Sequence, residues 1–195
     1  MDLQASLFDR DATRPDETFA TLVRHPLDER SWVDHAPGWL AGADTLFERL
    51  VAEAPWKQRE RWMYDRKLPE PRLTAAYDGA LPPDLEAIRA ALSARYGVTF
   101  DSMFLNLYRD GKDSVAWHGN RIARTVASPC VATISLGHPR RFLLRPKGGG
   151  PSVRFEPGPG DLIVMGGACQ TEWDHTVPKV ASAGPRISVT VRHSR

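Results

Sequence analysis

Beyond Gly97 the chain divides into short runs with a two-residue hydrophobic period, and this pattern restricts the fold more than any other feature. Alternation over four to eight residues is typical of strands with one buried face. Turn signals such as Asp110-Gly111 and Gly184-Pro185 separate the runs. The predicted strands are residues 102–109, 130–136, 141–144, 152–155, 161–165, 172–177 and 186–192. Short strands with this punctuation predict a mainly β fold of the jelly-roll type.

Two helices are predicted ahead of these strands, which makes the fold class α+β with β structure dominant. Residues 45–54 carry apolar side chains at helical spacing, and Pro55 ends that helix. The second helix begins at Pro82-Pro83-Asp84 and ends at Gly97. Both helices are expected to pack on the outside of the strands.

The remaining N-terminal part carries weaker signals. Residues 18–23 are a candidate first strand, and residues 1–17 are predicted to form a flexible arm because they are polar and show no sustained period. A chain of 195 residues is long enough for one domain with a full core. We therefore expect a single domain over residues 18–195.

Charged residues are nearly balanced in number but unevenly distributed. Lys and Arg total 26 against 24 Asp and Glu. Residues 1–35 hold eight acidic and four basic side chains, whereas residues 140–195 hold nine basic and four acidic ones. A basic C-terminal half suits a protein that meets a polyanion with one face, and it equally suits an ordinary solvated surface.

Cysteine usage and hydropathy indicate a compartment. Cys130 and Cys169 form neither a CxxC pair nor a disulfide framework. The first ten residues lack the apolar run of a signal peptide, and nowhere do about 18 consecutive apolar residues occur. We expect a monomer of the reducing cytoplasm with no membrane partner.

The segment 56–77 interleaves aromatic and basic side chains. Surfaces that stack nucleobases and neutralise phosphates have this composition. The same aromatic residues would also serve to cover the edge of the core, and the segment alone leaves both interpretations open.

Polar side chains share one face on two of the predicted strands. Asn106 and Tyr108 alternate with leucines, and Arg186, Ser188 and Arg192 alternate with aliphatic residues. Such a face is exposed either to solvent or to a wet cavity inside the protein. Arg186 and Arg192 are six residues apart, roughly 20 Å along a strand. We therefore expect them to have different roles.

His118, Asn120 and His175 are candidate ligands for one metal ion. His118 and Asn120 are two residues apart, so their side chains project to the same side of an extended segment, and another strand must bring His175 to them. Two imidazoles with a short oxygen donor are close to the ligand set of non-haem iron(II) oxygenases, in which the third ligand is a carboxylate.

These residues recur in an order that resembles the AlkB family of iron(II)- and 2-oxoglutarate-dependent dioxygenases. The resemblance covers about residues 60–195. It implies a double-stranded β-helix core at about residues 100–195 and a nucleotide-recognition lid at about residues 56–80. The matching segments are Pro71-Arg72-Leu73-Thr74, Asn106-x-Tyr108, Trp117-His118-x-Asn120, Trp173-x-His175 and Arg186-x-Ser188-x-Thr190-x-Arg192.

The resemblance implies roles for individual residues. Fe(II) would be bound by His118, Asn120 and His175. The cosubstrate 2-oxoglutarate would be held by Asn106, Tyr108, Arg186, Ser188 and Arg192, with Arg186 on the distal carboxylate and Arg192 at the metal end. Contacts with the substrate would come from the lid, where the candidates are Trp62, Tyr64, Arg72 and Tyr77.

By the same resemblance, the expected activity is oxidative demethylation of alkylated nucleobases in DNA, with RNA as an alternative. The reaction would consume O₂ and 2-oxoglutarate and release formaldehyde, succinate and CO₂. Two positions depart from the family pattern. Ser188 stands where members often carry Asn, and Asn120 stands where the family has Asp. A neutral amide lacks the anion that suits a hard divalent ion, so activity is expected to be reduced or absent.

Two other functions fit the same residues. One is a related oxygenase acting on a protein or a small molecule, whose turnover would not depend on nucleic acid. The other is a nucleic-acid-binding pseudoenzyme whose metal site is disabled by Asn120. Substituting Asn120→Asp would distinguish a site that is disabled only at this position.

Overall fold

Two antiparallel sheets face each other across a cavity, and helices cover the outer side of the larger sheet. The computed structural model of the chain describes residues 12–63, 65–77, 80–119, 126 and 129–193. Its strands are β1 Arg14–Pro15, β2 Val23–Pro26, β3 Ser31–Ala36, β4 Leu40–Ala41, β5 Lys57–Met63, β6 Arg66–Ala76, β7 Ser102–Tyr108, β8 Val115–His118, β9 Val131–Gly137, β10 Phe142–Pro146, β11 Val153–Phe155, β12 Leu162–Gly167, β13 Trp173–Val177 and β14 Arg186–Arg192. Its helices are α1 Ala43–Glu53, α2 Pro83–Tyr96 and α3 Cys169–Glu172.

The order of the strands places β14 in the middle of the molecule. The larger sheet runs β2-β3-β12-β9-β14-β7-β6-β5, and the smaller sheet runs β11-β10-β13-β8. β1 and β4 form a separate pair. The mainly β, jelly-roll prediction is therefore confirmed, with α1 and α2 as the flanking helices.

The two faces of the larger sheet bury different side chains. Ile187, Val189 and Val191 of β14 belong to a core that also contains Leu46 and Leu50 of α1. The alternate residues of β14 point to the smaller sheet and line the cavity. This arrangement follows from the two-residue period of a strand, because a strand between two layers must present one set of residues to each.

Both long helices have identifiable ends. α2 begins with Pro83, whose fixed φ suits the first helical turn, and carries Asp84 and Glu86 there. Gly97 ends it in the left-handed conformation, with its N–H donating to Ser93 O at 3.0 Å. Within the described residues, no helix is long and apolar enough to cross a membrane.

The N-terminal part differs from the sequence prediction. The strand expected at residues 18–23 is wrong, because β2 begins only at Val23. β3 was not predicted, since it buries Asp34 and half-buries His35. Arg24 donates to Asp34 through Nε and Nη2 at 2.7 and 2.8 Å, and Tyr96 Oη donates to it at 3.0 Å. These partners satisfy a buried carboxylate that would otherwise disfavour a strand.

Several further elements were not predicted, namely β1, β4, β5, β6, β8 and α3. The aromatic and basic segment forms a hairpin of β5 and β6, with a shift in register between Gln58 and Glu60. The segment of β8 was expected to be extended, because His118 and Asn120 were predicted to project to the same side, and the structure makes it a strand. Within the predicted arm, Arg14–Pro15 pairs with β4, and residues 1–11 lie outside the described part. The domain limits stay a prediction.

Gly137, opposite Arg186 in the β9–β14 pair, generates a prediction about packing at the site. Its φ is +77°, and a Cβ there would lie 2.6 Å from Pro185 O and 2.8 Å from Phe47 Cε2. Gly137→Ala should lower the free energy of unfolding by about 2–4 kcal/mol, because strain at positive φ adds to overpacking. Urea denaturation followed by circular dichroism measures this loss.

Gly97→Ala is the matched control. Gly97 has φ +65° and no atom within 4 Å of an added Cβ, so only the conformational cost of about 1–2 kcal/mol should appear. Equal losses in the two variants would contradict the packing argument.

Candidate active site

A cavity of about 480 Å³ lies between the two sheets. The predicted faces of β7 and β14 both point into it, which settles the choice between solvent and cavity. The residues predicted for the site that line it are Arg72, Asn106, Tyr108, His118, His175, Arg186, Ser188 and Arg192. Pairing of β14 with β7 along the whole of both strands holds the five of these residues that lie on β7 and β14 in fixed register.

His118 and His175 meet at one end of the cavity. β8 and β13 pair with these two residues directly opposite each other, and their ring centroids are 4.3 Å apart. His118 Nδ1 lies 2.8 Å from Ala116 O. A proton on Nδ1 donates to that carbonyl and leaves the lone pair on Nε2, which is the tautomer that outer hydrogen bonds select in metal-binding histidines.

Both imidazoles are neutral near pH 7. Burial, with smaller effects from the charges of His118 and Arg192, lowers the pKa of His175 to about 3. Burial of the ring in the cavity wall also lowers the pKa of His118, although part of this residue stays exposed and its bond to Ala116 O opposes the shift. Neutral rings have the free lone pairs that a metal ion needs.

The third predicted ligand, Asn120, lies outside the described residues. In the part of the chain that the structure describes, no three His, Cys, Asp or Glu side chains are grouped to hold a metal ion. The described residues therefore provide two of the three expected ligands, whose ring centroids are 4.3 Å apart.

Arg186 lies buried at the other end of the cavity, with 1% of its surface exposed. Its Nη2 donates to Ser135 Oγ at 2.7 Å, and its Cζ is 5.4 Å from the centre of the Tyr108 ring. Its Nε and Nη1 are buried and have no hydrogen-bond partner among the described residues. A guanidinium with two unpaired donors suits a carboxylate, so the site fits the distal end of 2-oxoglutarate.

Tyr108 next to it stays protonated. Burial raises the pKa of the Tyr108 phenol, although the charges of Arg186, Arg72 and Arg140 oppose that shift. The phenol therefore retains an O–H that can donate to an anion in the cavity.

Arg192 lies nearer the histidines. Its Cζ is 3.9 Å from the centre of the Phe104 ring, its buried Nε has no partner among the described residues, and burial lowers its pKa to about 10. Arg186 and Arg192 thus occupy separate parts of one cavity, as their spacing on β14 requires. Ser188 lies between them, with its Oγ 3.3 Å from Thr190 Oγ1.

The lid candidates do not form one group. Arg72 lies in the cavity wall, where its Nε donates to Asn106 Oδ1 at 3.1 Å. Trp62 is 66% exposed, and Tyr77 packs against the larger core, where burial raises the pKa of its phenol. Tyr64 lies outside the described residues.

Arg140 was missed by the sequence prediction. It is 2% exposed and donates to the backbone oxygens of Asp110, Asp113 and Pro178 at 2.8–2.9 Å. These bonds fix the loop that joins β7 to β8, and hence the approach to His118. No local pattern marks such a residue, because its acceptors come from distant parts of the chain.

Several known proteins are similar in sequence to this chain. The family model of the 2OG-Fe(II) oxygenase superfamily matches residues 74–192. Alpha-ketoglutarate-dependent dioxygenase alkB homolog 3 of Rattus norvegicus is 36% identical over 183 residues, covering 80% of this chain and 62% of that protein. DNA oxidative demethylase ALKBH2 of Arabidopsis thaliana is 30% identical over 191 residues, covering 76% and 61% respectively. The chain thus spans about three fifths of the length of these relatives.

Solved structures share the architecture. The structure of OsALKBH1 superposes with a TM-score of 0.60, covering 88% of this chain and 100% of that chain at 14% sequence identity. Identity this low shows the fold alone. The match to the family model shows that the chain belongs to the 2OG-Fe(II) oxygenase superfamily, and its similarity to the AlkB homologues confirms the predicted resemblance.

Proposed function

We propose that this protein oxidatively removes alkyl groups from nucleobases, in DNA or in RNA, using Fe(II), 2-oxoglutarate and O₂ and releasing formaldehyde, succinate and CO₂. One observation carries the proposal: two neutral histidines and a buried arginine with unpaired donors open into the same cavity. The relatives named for dioxygenase and DNA demethylase activity support it. Two free, buried cysteines agree with a reducing cytoplasm.

Each residue of the site has a role in this proposal. His118 and His175 would hold the iron, which when bound supplies the O₂ activation that the protein's own side chains lack. Arg186 would hold the distal carboxylate of 2-oxoglutarate, assisted by the Tyr108 phenol. Arg192, next to the histidines, would orient the other end of the cosubstrate.

Apolar side chains complete the wall of the cavity. Phe142 packs beside His175, with ring centroids 5.6 Å apart, and Met165 and Val177 line the same wall. These groups limit the access of water to the reacting atoms, which strengthens the interactions of the charged groups in the cavity.

The hairpin of β5 and β6 supports a polyanionic substrate. Arg59 lines the cavity, and the two-residue period places Lys57 and Arg61 on the same side of β5. Trp62 falls on the opposite side, where it pairs with Lys67. The side of the hairpin next to the cavity is therefore cationic, as contact with phosphates requires, and Trp62 faces away from it.

Asn120 favours a second candidate function, a nucleic-acid-binding pseudoenzyme. A neutral amide in place of a carboxylate weakens the hold on a divalent cation, whereas the cationic hairpin does not depend on the metal. The two functions differ in whether the wild-type protein demethylates its substrate.

Turnover of a methylated oligonucleotide tests the proposed function directly. Iron-loaded wild-type protein should release formaldehyde and succinate in equal amounts from an N-methylated oligonucleotide, and Asn120→Asp should raise the rate at least about tenfold because it restores an anionic ligand. Both products are measured by mass spectrometry, with His118→Ala as the inactive control. Products from Asn120→Asp alone would establish the pseudoenzyme, and products from neither protein would refute demethylation.

Substitution of Arg186 tests its proposed role in binding 2-oxoglutarate. Arg186→Lys should raise the Kd of 2-oxoglutarate about 10- to 100-fold in the Mn(II)-loaded protein, since an ammonium group cannot reproduce the fork of donors. Isothermal titration calorimetry measures this affinity. The matched control is Arg145→Lys, because Arg145 stacks on Trp117 at 4.1 Å and is not part of the cavity wall. An unchanged Kd in Arg186→Lys would remove the assigned role.

Substitutions in the hairpin test its proposed contact with nucleic acid. Arg59→Met and Arg61→Met should each weaken binding of a single-stranded oligonucleotide and reduce the slope of log Kd against log salt concentration by about one. Fluorescence anisotropy at several salt concentrations measures the slope. Lys67→Met, on the other side of the hairpin, is the control for lost charge. An equal effect in this control would show that net charge alone, rather than this side, attracts the nucleic acid.

A further inference from the structure

Arg72 lies in the hairpin of β5 and β6, and its side chain contacts Asn106, which is predicted to hold 2-oxoglutarate. It lies in β6, yet its side chain is only 17% exposed and lines the cavity. Its Nε donates to Asn106 Oδ1 at 3.1 Å, and its Nη2 pairs with Glu70 Oε2 at 2.9 Å. The resemblance to the AlkB family had implied a substrate contact for this residue.

The bond to Asn106 determines which group of the amide faces the cavity. A guanidinium only donates, so it engages the carbonyl oxygen Oδ1 and leaves the Nδ2 group free to donate. A carboxylate only accepts. Asn106 held in this orientation therefore offers the group that a carboxylate needs, whereas an amide rotated by half a turn would offer an oxygen that repels it.

Contacts with both neighbouring segments hold Arg72 in place. Gln58 Nε2 donates to Arg72 O at 3.2 Å, and the N–H of Ser114 donates to Pro71 O at 2.8 Å. The Glu70 carboxylate neutralises the guanidinium without occupying its Nε. Asn106 itself is 8% exposed and lies opposite Thr74 in the β6–β7 pair. Arg72 is thus fixed between the hairpin, β7 and the loop that precedes β8.

We propose that Arg72 is a positioning residue that fixes the amide of Asn106 for 2-oxoglutarate, so the hairpin supports the cosubstrate as well as the nucleic acid. The inference rests on the proposed function, because it requires a 2-oxoglutarate site in this cavity. Arg72 acts through Asn106 and makes no contact of its own with the reacting atoms.

The test measures the Kd of 2-oxoglutarate for Mn(II)-loaded protein by isothermal titration calorimetry, without nucleic acid. Arg72→Met and Arg72→Lys should each raise the Kd about tenfold, the effect typical of losing an outer partner of a binding group. Lys67→Met, an equal loss of charge on the same strand, should leave the Kd unchanged. Arg72→Lys keeps the charge and is the milder change if Arg72→Met fails to fold.

A double-mutant cycle tests the route through Asn106. Asn106→Ala should itself weaken binding, and Arg72→Met added to it should change the Kd by less than about twofold, because residues that act through one contact are not additive. A full tenfold effect in the Asn106→Ala background would overturn the inference. Wild-type affinity in Arg72→Met or in Arg72→Lys would also overturn it.

Failure of the inference about Arg72 can be distinguished from failure of the proposed function. If the wild-type protein binds no 2-oxoglutarate, the proposed function fails for this chain. The same series in the Asn120→Asp background then tests Arg72 independently, with the same expected and contradicting results.

Discussion

The rest of the site depends on the burial of one guanidinium, that of Arg186, in the wall of the cavity. Taking such a charge out of water costs several kcal/mol even after the protein relaxes, and among the described residues the Ser135 hydroxyl and the Tyr108 ring offset part of that cost. The donors that remain unpaired define both the kind of ligand and its orientation. β14 also carries Arg192 six residues further on, so one strand sets the distance between the anion site and the histidines.

The wall of the cavity carries mainly positive charge. Four arginines, Arg59, Arg72, Arg186 and Arg192, contribute to its wall, and no carboxylate of the described residues lines it. With both histidines neutral, the wall has an excess of positive charge that a dianion would balance.

Some strands of this protein are predictable from the sequence, and others are not. β14 was predicted with its observed bounds, because its alternation of aliphatic and polar residues follows directly from its position between two layers. β3 was missed since its buried Asp34 depends on Arg24 and Tyr96, which come from other elements. Pairing of β8 with β13 brings the two histidines together, as expected, but the roles of the individual residues stay predictions. The position of Arg72 could not be foreseen, because it depends on an irregular register in the hairpin.

The bond between Arg72 and Asn106 has a consequence for how such a protein can diverge. A hairpin that only touched the substrate would be free to vary, and its changes would alter the choice of target alone. Here the same β-ribbon also bonds to Asn106 in the cavity wall behind it. If the proposed roles hold, mutations that adapt the ribbon to a new target would also change the affinity for the small-molecule cosubstrate.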